Sequence, residues 1–165
     1  MTRWVLHVDL DQFLAAVEQR RDRRQLVERQ RGVKVQTARE RLAVRRCPDA
    51  VVLPADNPAY EAASAEVMAV LRTLPVLVEE IGWDEAFLQW DGEDPESFAR
   101  AVQAAVRART TLSCAVGIGD NTLRAKMATG FAKPGGVHRI TAHNWFATFG
   151  DSPTGALHGI GVRTE

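Results

Sequence analysis

The sequence predicts an α+β domain, a mixed and mostly antiparallel sheet with helices packed on one face. Three observations lead there. Apolar runs of strand length alternate with segments whose apolar residues recur at helical spacing. Val76–Ile81 and Ala86–Trp90 are separated only by a turn through Gly82 and Trp83, and strands so closely joined must run antiparallel. At 165 residues, 45% hydrophobic and 25% charged, the chain has the size and composition of one globular domain with a substantial core.

Taken in order, residues 4–9 read as a buried strand. The stretch from Gln12 to Arg24 carries Phe13, Leu14, Ala16 and Val17 at helical spacing, with Asp11 placed to cap it. Residues 22–46 are rich in arginine; Gly32 is a break, Val33–Val35 a remnant of strand, and Thr37–Arg46 a helix. Val51-Val52-Leu53 reads as a short strand. Asn57, read as the N-cap with Pro58 at the first helical position, opens a helix that runs from Ala59 to Leu71 and buries Tyr60, Ala63, Val67, Val70 and Leu71. After the hairpin, Asp94-Pro95 starts a helix over Glu96–Arg109 with Phe98, Val102, Ala105 and Val106 inward. Leu112–Ile118 is a strand, Asp120 caps a helix to Phe131, Val137–Ile140 is a strand, and His143–Phe149 a last short helix.

Lysine plus arginine balances aspartate plus glutamate, 21 to 21, so no overall field points to a polyanionic partner. The charges are unevenly spread: residues 20–46 hold Arg20, Arg21, Arg23, Arg24, Arg29, Arg31, Lys34, Arg39, Arg41, Arg45 and Arg46 against Asp22, Glu28 and Glu40. Charge alone leaves two readings of that stretch open, a solvated face or a phosphate-facing one. Cys47 and Cys114 lack metal-type spacing and read as buried free thiols, as in a reducing cytoplasm. Met1-Thr2-Arg3 leads directly into strand pattern, and no apolar run approaches the ~20 residues of a membrane span; a cytoplasmic, non-membrane protein is expected.

The chemistry rests on two acidic stretches, Val8-Asp9-Leu10-Asp11 and Gly82-Trp83-Asp84-Glu85, each set against strand-like apolar residues. Carboxylates held there are costly unless paired or bound to a cation. Phosphoryl transfer uses two divalent ions about 4 Å apart to clamp the attacking and leaving oxygens, and magnesium takes one or two carboxylates plus phosphates and waters. Asp9, Asp84 and Glu85 are the expected ligands of such a pair of Mg²⁺ ions, Mn²⁺ being a possible substitute. Asp11 is either a further ligand or the cap of the helix that follows, the cap being preferred. Taken alone, Asp84-Glu85 also fits a polar hairpin turn.

These residues resemble the palm region of the Y-family translesion DNA polymerases, in their DNA polymerase IV (DinB-type) branch. Val8-Asp9-Leu10-Asp11-Gln12-Phe13-Leu14-Ala15-Ala16-Val17-Glu18 is similar to that family's first motif. Cys47-Pro48-Asp49-Ala50 with Ala59-Tyr60 and Ala63-Ser64 resembles the segment after it, and Glu80-Ile81-Gly82-Trp83-Asp84-Glu85-Ala86-Phe87-Leu88 the second acidic motif. Ser113-Cys114-Ala115-Val116-Gly117-Ile118-Gly119-Asp120-Asn121, Lys126 and Ala132-Lys133-Pro134-Gly135-Gly136 resemble the third, and Leu157-His158-Gly159-Ile160-Gly161 the entry to a thumb helix-hairpin-helix.

The resemblance implies a ferredoxin-like palm over residues 1–155, with residues 19–46 a shortened fingers remnant, and 156–165 the start of a truncated thumb. It implies a DNA-directed DNA polymerase acting on primed template DNA as a monomer, in translesion synthesis and repair. Asp9 and Asp84 would bridge the two ions with help from the Leu10 carbonyl, and Glu85 would bind the ion that activates the primer 3′-hydroxyl. Lys133 and the backbone amides of Gln12, Phe13 and Leu14 would contact the incoming deoxyribonucleoside triphosphate. Leu14 stands where the family usually has Phe or Tyr as steric gate, which implies relaxed exclusion of ribonucleoside triphosphates; read without the family it is ordinary helix core. The tyrosine of the fingers' Tyr-x-x-Arg pair has no counterpart, Tyr60 being the one tyrosine, and Arg39 is the candidate for its arginine, not the preferred reading. The alternatives are a catalytically impaired palm acting as a folded binding module and, from the loose echo of a Gly-Gly-Asp/Glu-Glu-Phe hairpin, a nucleotide cyclase.

Overall fold

Strand β1 (Thr2–Leu10) lies at the centre of the molecule and carries the first acidic motif at its end. The structure, a computed structural model, describes residues 2–21, 38–49 and 51–160. Along the chain follow α1 (Phe13–Gln19), α2 (Ala38–Arg46), α3 (Asn57–Leu71), β2 (Leu77–Glu80), β3 (Glu85–Gly92) and α4 (Pro95–Thr110). Then come β4 (Cys114–Gly119), α5 (Thr122–Ala132), β5 (Val137–Ile140), α6 (Trp145–Phe149) and a 3₁₀ turn at Thr154–Ala156.

Among the described residues the strands form one five-stranded sheet in the order β2-β3-β1-β4-β5. All neighbours are antiparallel except β4 and β5, so the expected α+β class with a mixed sheet is what the chain adopts. Register follows from period two: Leu6 pairs with Leu88 and Ile118, Val8 with Ala86 and Val116, which lines one face with apolar side chains. Against it pack Val67 and Leu71 of α3 and Val102 and Val106 of α4, each no more than 1% exposed. At roughly 25 cal/mol per Å² of apolar surface, each buried Leu or Val adds about 1.5–3 kcal/mol, and this face is where the fold is stabilised.

The opposite face is covered by α5, so the helices lie on both faces of the sheet and not on one face as the sequence predicts. It can sit so close because β4 presents glycine there: a Cβ on Gly117 would fall 2.1 Å from the Ala125 carbonyl oxygen, and one on Gly119 2.4 Å from the Ala125 nitrogen.

Several local expectations are corrected. The helix caps fall one residue away: Asp56, not Asn57, accepts from the Ala59 amide at the start of α3, and Asn121, not Asp120, accepts from Arg124 at the start of α5. Asp120 instead pairs with the Arg124 side chain and accepts from the Ala142 amide. Asp94 caps α4 as its sequence predicts. Val51–Leu53 is not a strand. Its β-branched residues find no ladder partner, and propensity without a neighbour does not make a strand. Cys47 is exposed, whereas Cys114 is buried; both are free.

Of the arginine-rich stretch, Arg20 pairs with Glu66, and Arg21 with Glu18 and Asp56. The break at Gly32 and the strand at Val33–Val35 lie outside the described residues. No helix among the described residues is long and apolar enough to cross a membrane.

Candidate functional site

The polar end of the sheet forms where β1 stops and β3 begins. Asp9 and Glu85 are directly opposed in the β1–β3 register, so their side chains emerge on the same face. Asp84 is held one residue earlier, in the turn, where its carbonyl accepts from the Leu10 amide at 2.8 Å. Asp9, Asp84 and Glu85, the three acids singled out in the sequence, are thus brought together, each partly buried.

Their electrostatics differ. Burial, then the neighbouring charge of Asp9, raises the Asp84 carboxyl above its ordinary value. Burial pushes Glu85 in the same direction, but the Lys126 hydrogen bond and charge, with His7, outweigh it and the group ends below the usual range. Asp9 is paired with Lys133, Oδ1 to Nζ 2.7 Å, so this lysine stands beside the carboxylates.

Three further groups complete the site. His7 lies two residues before Asp9 on the same face of β1, with its side chain 1% exposed. Its Nε2 is 3.0 Å from Glu85 Oε2 and its Nδ1 2.9 Å from the Thr129 hydroxyl. Burial, then the charge of Lys126, lowers the His7 pKa, which favours the neutral ring. A neutral ring that donates from Nε2 to the carboxylate must accept at Nδ1, and the Thr129 hydroxyl can supply that proton. Lys126 Nζ sits 2.5 Å from the same Glu85 oxygen. Lys126, Thr129 and Lys133 recur at helical spacing in and just beyond α5. Sequence reading noted Lys126 only as part of a motif and missed His7 and Thr129; the signal was the i, i+2 relation of His7 to Asp9 in one strand.

Asp11 departs from expectation. The N-cap position of α1 is Gln12, in the left-handed region with φ 47°, and no side chain caps the helix. Asp11 is therefore not the cap, and both of its carboxylate oxygens are buried without a hydrogen-bond partner among the described residues. With Asp9, it joins burial in driving the Cys114 thiol up to about 12. Phe13 is 4% exposed and belongs to the core, while Leu14 is 49% exposed. Leu14 is thus not helix core, and its side chain is open to whatever lies above α1.

The donor set suits a hard divalent cation. Asp9 and Glu85 offer carboxylate oxygens within 4.8 Å of one another and of a His7 ring nitrogen, and Asp84 adjoins them. A cavity of about 450 Å³ opens from this cluster, lined by His7, Asp9, Lys126, Lys133 and Phe131 among others.

A family model described as impB/mucB/samB matches residues 27–130. DNA polymerase IV 2 of Mycobacterium tuberculosis (strain ATCC 25618 / H37Rv) is 42% identical over 189 aligned positions, covering 98% of this chain and 54% of that protein. DNA polymerase IV of Alkalilimnicola ehrlichii is 33% identical, covering 99% and 53%. The chain spans about half the length of the curated relatives it matches. Among solved structures, the insertion ternary complex of Dbh DNA polymerase superposes with a TM-score of 0.78 at 22% identity, over 97% of this chain and 55% of that one. DinB from Sulfolobus solfataricus gives 0.75 at 23%, over the same shares. With its order of motifs, its sheet and these relatives, the chain belongs to the impB/mucB/samB family of Y-family DNA polymerases, and its fold is their palm.

Proposed function

We propose that this chain carries the catalytic palm of a template-directed DNA polymerase of the translesion type, joining deoxyribonucleotides to a primer 3′-hydroxyl. The observation that carries the reading is the convergence of Asp9, Asp84 and Glu85 beside Lys133, with the Asp84 carboxyl raised above its ordinary value by burial and by the charge of Asp9. Asp9, Asp84 and Glu85, with the Leu10 carbonyl, would hold two Mg²⁺ ions. When bound, such ions polarise the phosphoryl group and lower the pKa of the attacking hydroxyl. The chain's own residues do the rest: His7 orients Glu85, Lys133 offers a cation to the triphosphate, and the amides of Gln12, Phe13 and Leu14 lie where the chain turns into α1.

The exposed Leu14 side chain supports a steric gate that is smaller than an aromatic ring, and therefore some use of ribonucleoside triphosphates. The alignment with relatives runs over 189 positions, more than the 165 residues here, which supports a chain shortened within the matched region. A fingers remnant at residues 19–46 is our assignment for part of that difference. A binding module without chemistry is not favoured, because the acids that such a module would not need are all present and convergent.

Primer extension by the purified chain with Mg²⁺ or Mn²⁺, beside an Asp84→Ala control, tests the reading. Loss of a metal-bridging carboxylate should lower the rate by at least ~10³-fold. Extension that survives in the control would end the two-metal assignment.

A further inference from the structure

Glu85 is held by two groups of different character. His7 is a fixed partner, buried in β1 and braced by Thr129. Lys126 is a movable one: its ammonium ends a flexible four-carbon stem, its side chain is 21% exposed, and its backbone is anchored because α5 is seated on Gly117 and Gly119. The ammonium contacts Glu85 Oε2 at 2.5 Å and approaches His7 Nε2 to 3.4 Å. That position lies at the His7, Asp9 and Glu85 cluster whose ligand atoms fall within 4.8 Å of one another. A divalent ion bound there would share the Glu85 carboxylate with the ammonium and would face its positive charge at contact distance. Lysine and ion therefore exclude one another.

We propose that Lys126 is the resident cation of this site, a placeholder that keeps Glu85 in its bound orientation and leaves when a divalent ion enters. The inference rests on the metal site assigned above and adds an exchange step to it. The displaced side chain has somewhere to go. The cavity of about 450 Å³ beside the cluster is lined by Lys126 itself and by Lys133. Moved into it, the ammonium joins Lys133 as a second cation facing an entering phosphate group, so that metal entry and anion recruitment are linked through one side chain.

The direction of the effect separates this from an ordinary structural role. Removing a structural lysine weakens its site; removing a placeholder strengthens binding of what it excludes. Mn²⁺ binding to the purified chain, followed by the EPR signal of free Mn²⁺ at constant pH, reads this without requiring polymerase activity. Lys126→Met is expected to bind Mn²⁺ at least fivefold more tightly than the parent chain. Lys126→Gln should shift the same way, and Lys126→Arg, which keeps the charge, should not tighten it. Circular dichroism establishes that each variant is folded, and the Gln variant serves should Met disturb α5. Unchanged or weaker binding in folded Lys126→Met and Lys126→Gln overturns the placeholder. Asp84→Ala distinguishes the two levels: if it lowers Mn²⁺ binding while the Lys126 variants do not raise it, the placeholder alone fails. Binding indifferent to Asp84→Ala overturns both the placeholder and the metal site.

Discussion

Two faces of one strand divide the work of this molecule. Leu6, Val8 and Leu10 of β1 point into an apolar layer shared with α3 and α4, and each is no more than 2% exposed. The alternate residues, His7 and Asp9, point into a layer of hydrogen bonds and ion pairs beneath α5. Backbone, strand and neighbours are the same for both sets; only the period-two alternation of the pleat separates them. The apolar face tolerates imprecision, since side chains of similar volume can repack. The polar face does not, because carboxylates that lose a partner inside protein become strongly destabilising. This difference accounts for the contrast between α4, which docks through Ala99, Val102 and Val106, and α5, which docks through bare glycine backbone in β4.

The contrast can be broken most severely at Gly117. A methyl group there would lie 2.1 Å from the Ala125 carbonyl oxygen and 2.4 Å from both the nitrogen and the hydroxyl of Thr129, all of them in one helix rather than at the end of a flexible side chain. Gly117→Ala is expected to cost about 3 kcal/mol or more and to push α5, with Lys126 and Thr129, away from Glu85. Gly130→Ala in the same helix meets nothing within 4 Å and should be neutral or stabilising by up to about 1 kcal/mol. Urea denaturation of the two variants checks this. Equal, small effects would mean that α5 is not seated as described.

How far each face could be read from sequence differs for the same reason. The apolar layer was legible because burial leaves a periodic trace: Val67 and Leu71, or Val102 and Val106, recur at helical intervals and belong to the core. The acids were legible because Asp9 and Asp84-Glu85 interrupt strand patterns. The supports of the acids were not. His7 meets Thr129 across 122 positions and Glu85 across 78, and no local pattern encodes which strand lies beside which. Asp11 misled for a physical reason too: aspartate before a helix is a good cap, but the left-handed turn at Gln12 begins α1 one residue later and leaves the carboxylate without a hydrogen-bond partner among the described residues. Val51–Leu53 likewise has the composition of a strand without a partner to pair with.

A gentler test of the comparison concerns α1, which presents both characters in adjacent residues. Phe13 is buried and Leu14 half exposed, so a substitution at Leu14 should alter selectivity without altering the core. Leu14→Phe is expected to raise the preference for deoxyribonucleoside over ribonucleoside triphosphates by about tenfold or more, the scale on which an apolar pocket distinguishes one small group. Stability should change by less than ~0.5 kcal/mol, as for surface positions generally. The ratio of kcat/KM for a matched dNTP and rNTP decides it; an unchanged ratio would remove Leu14 as the gate.

The smallest expected effect is the most specific to the polar face. Asp84 has a raised pKa in the folded chain, from burial first and from Asp9 second. A raised folded value means that the native state holds this proton more tightly than the unfolded chain does. Its contribution to stability is then fully present below the ordinary carboxylate range and is lost as pH rises through the folded value. At neutral pH the charged Asp84 is a net cost. Asp84→Asn should therefore raise Tm slightly near pH 7, and the advantage should vanish when carboxylates are protonated. Glu85 has the opposite sign: with its pKa lowered by Lys126 and His7 against the effect of burial, its contribution is present above the ordinary range and lost as pH falls, so Glu85→Gln should lower Tm at pH 7. Two neighbouring carboxylates thus respond in opposite directions to the same neutralisation. Thermal denaturation of both variants at pH 7 and near pH 4 reads those signs directly, and a shift of the same sign in both would mean that the lysine and histidine around Glu85 do not hold it as described.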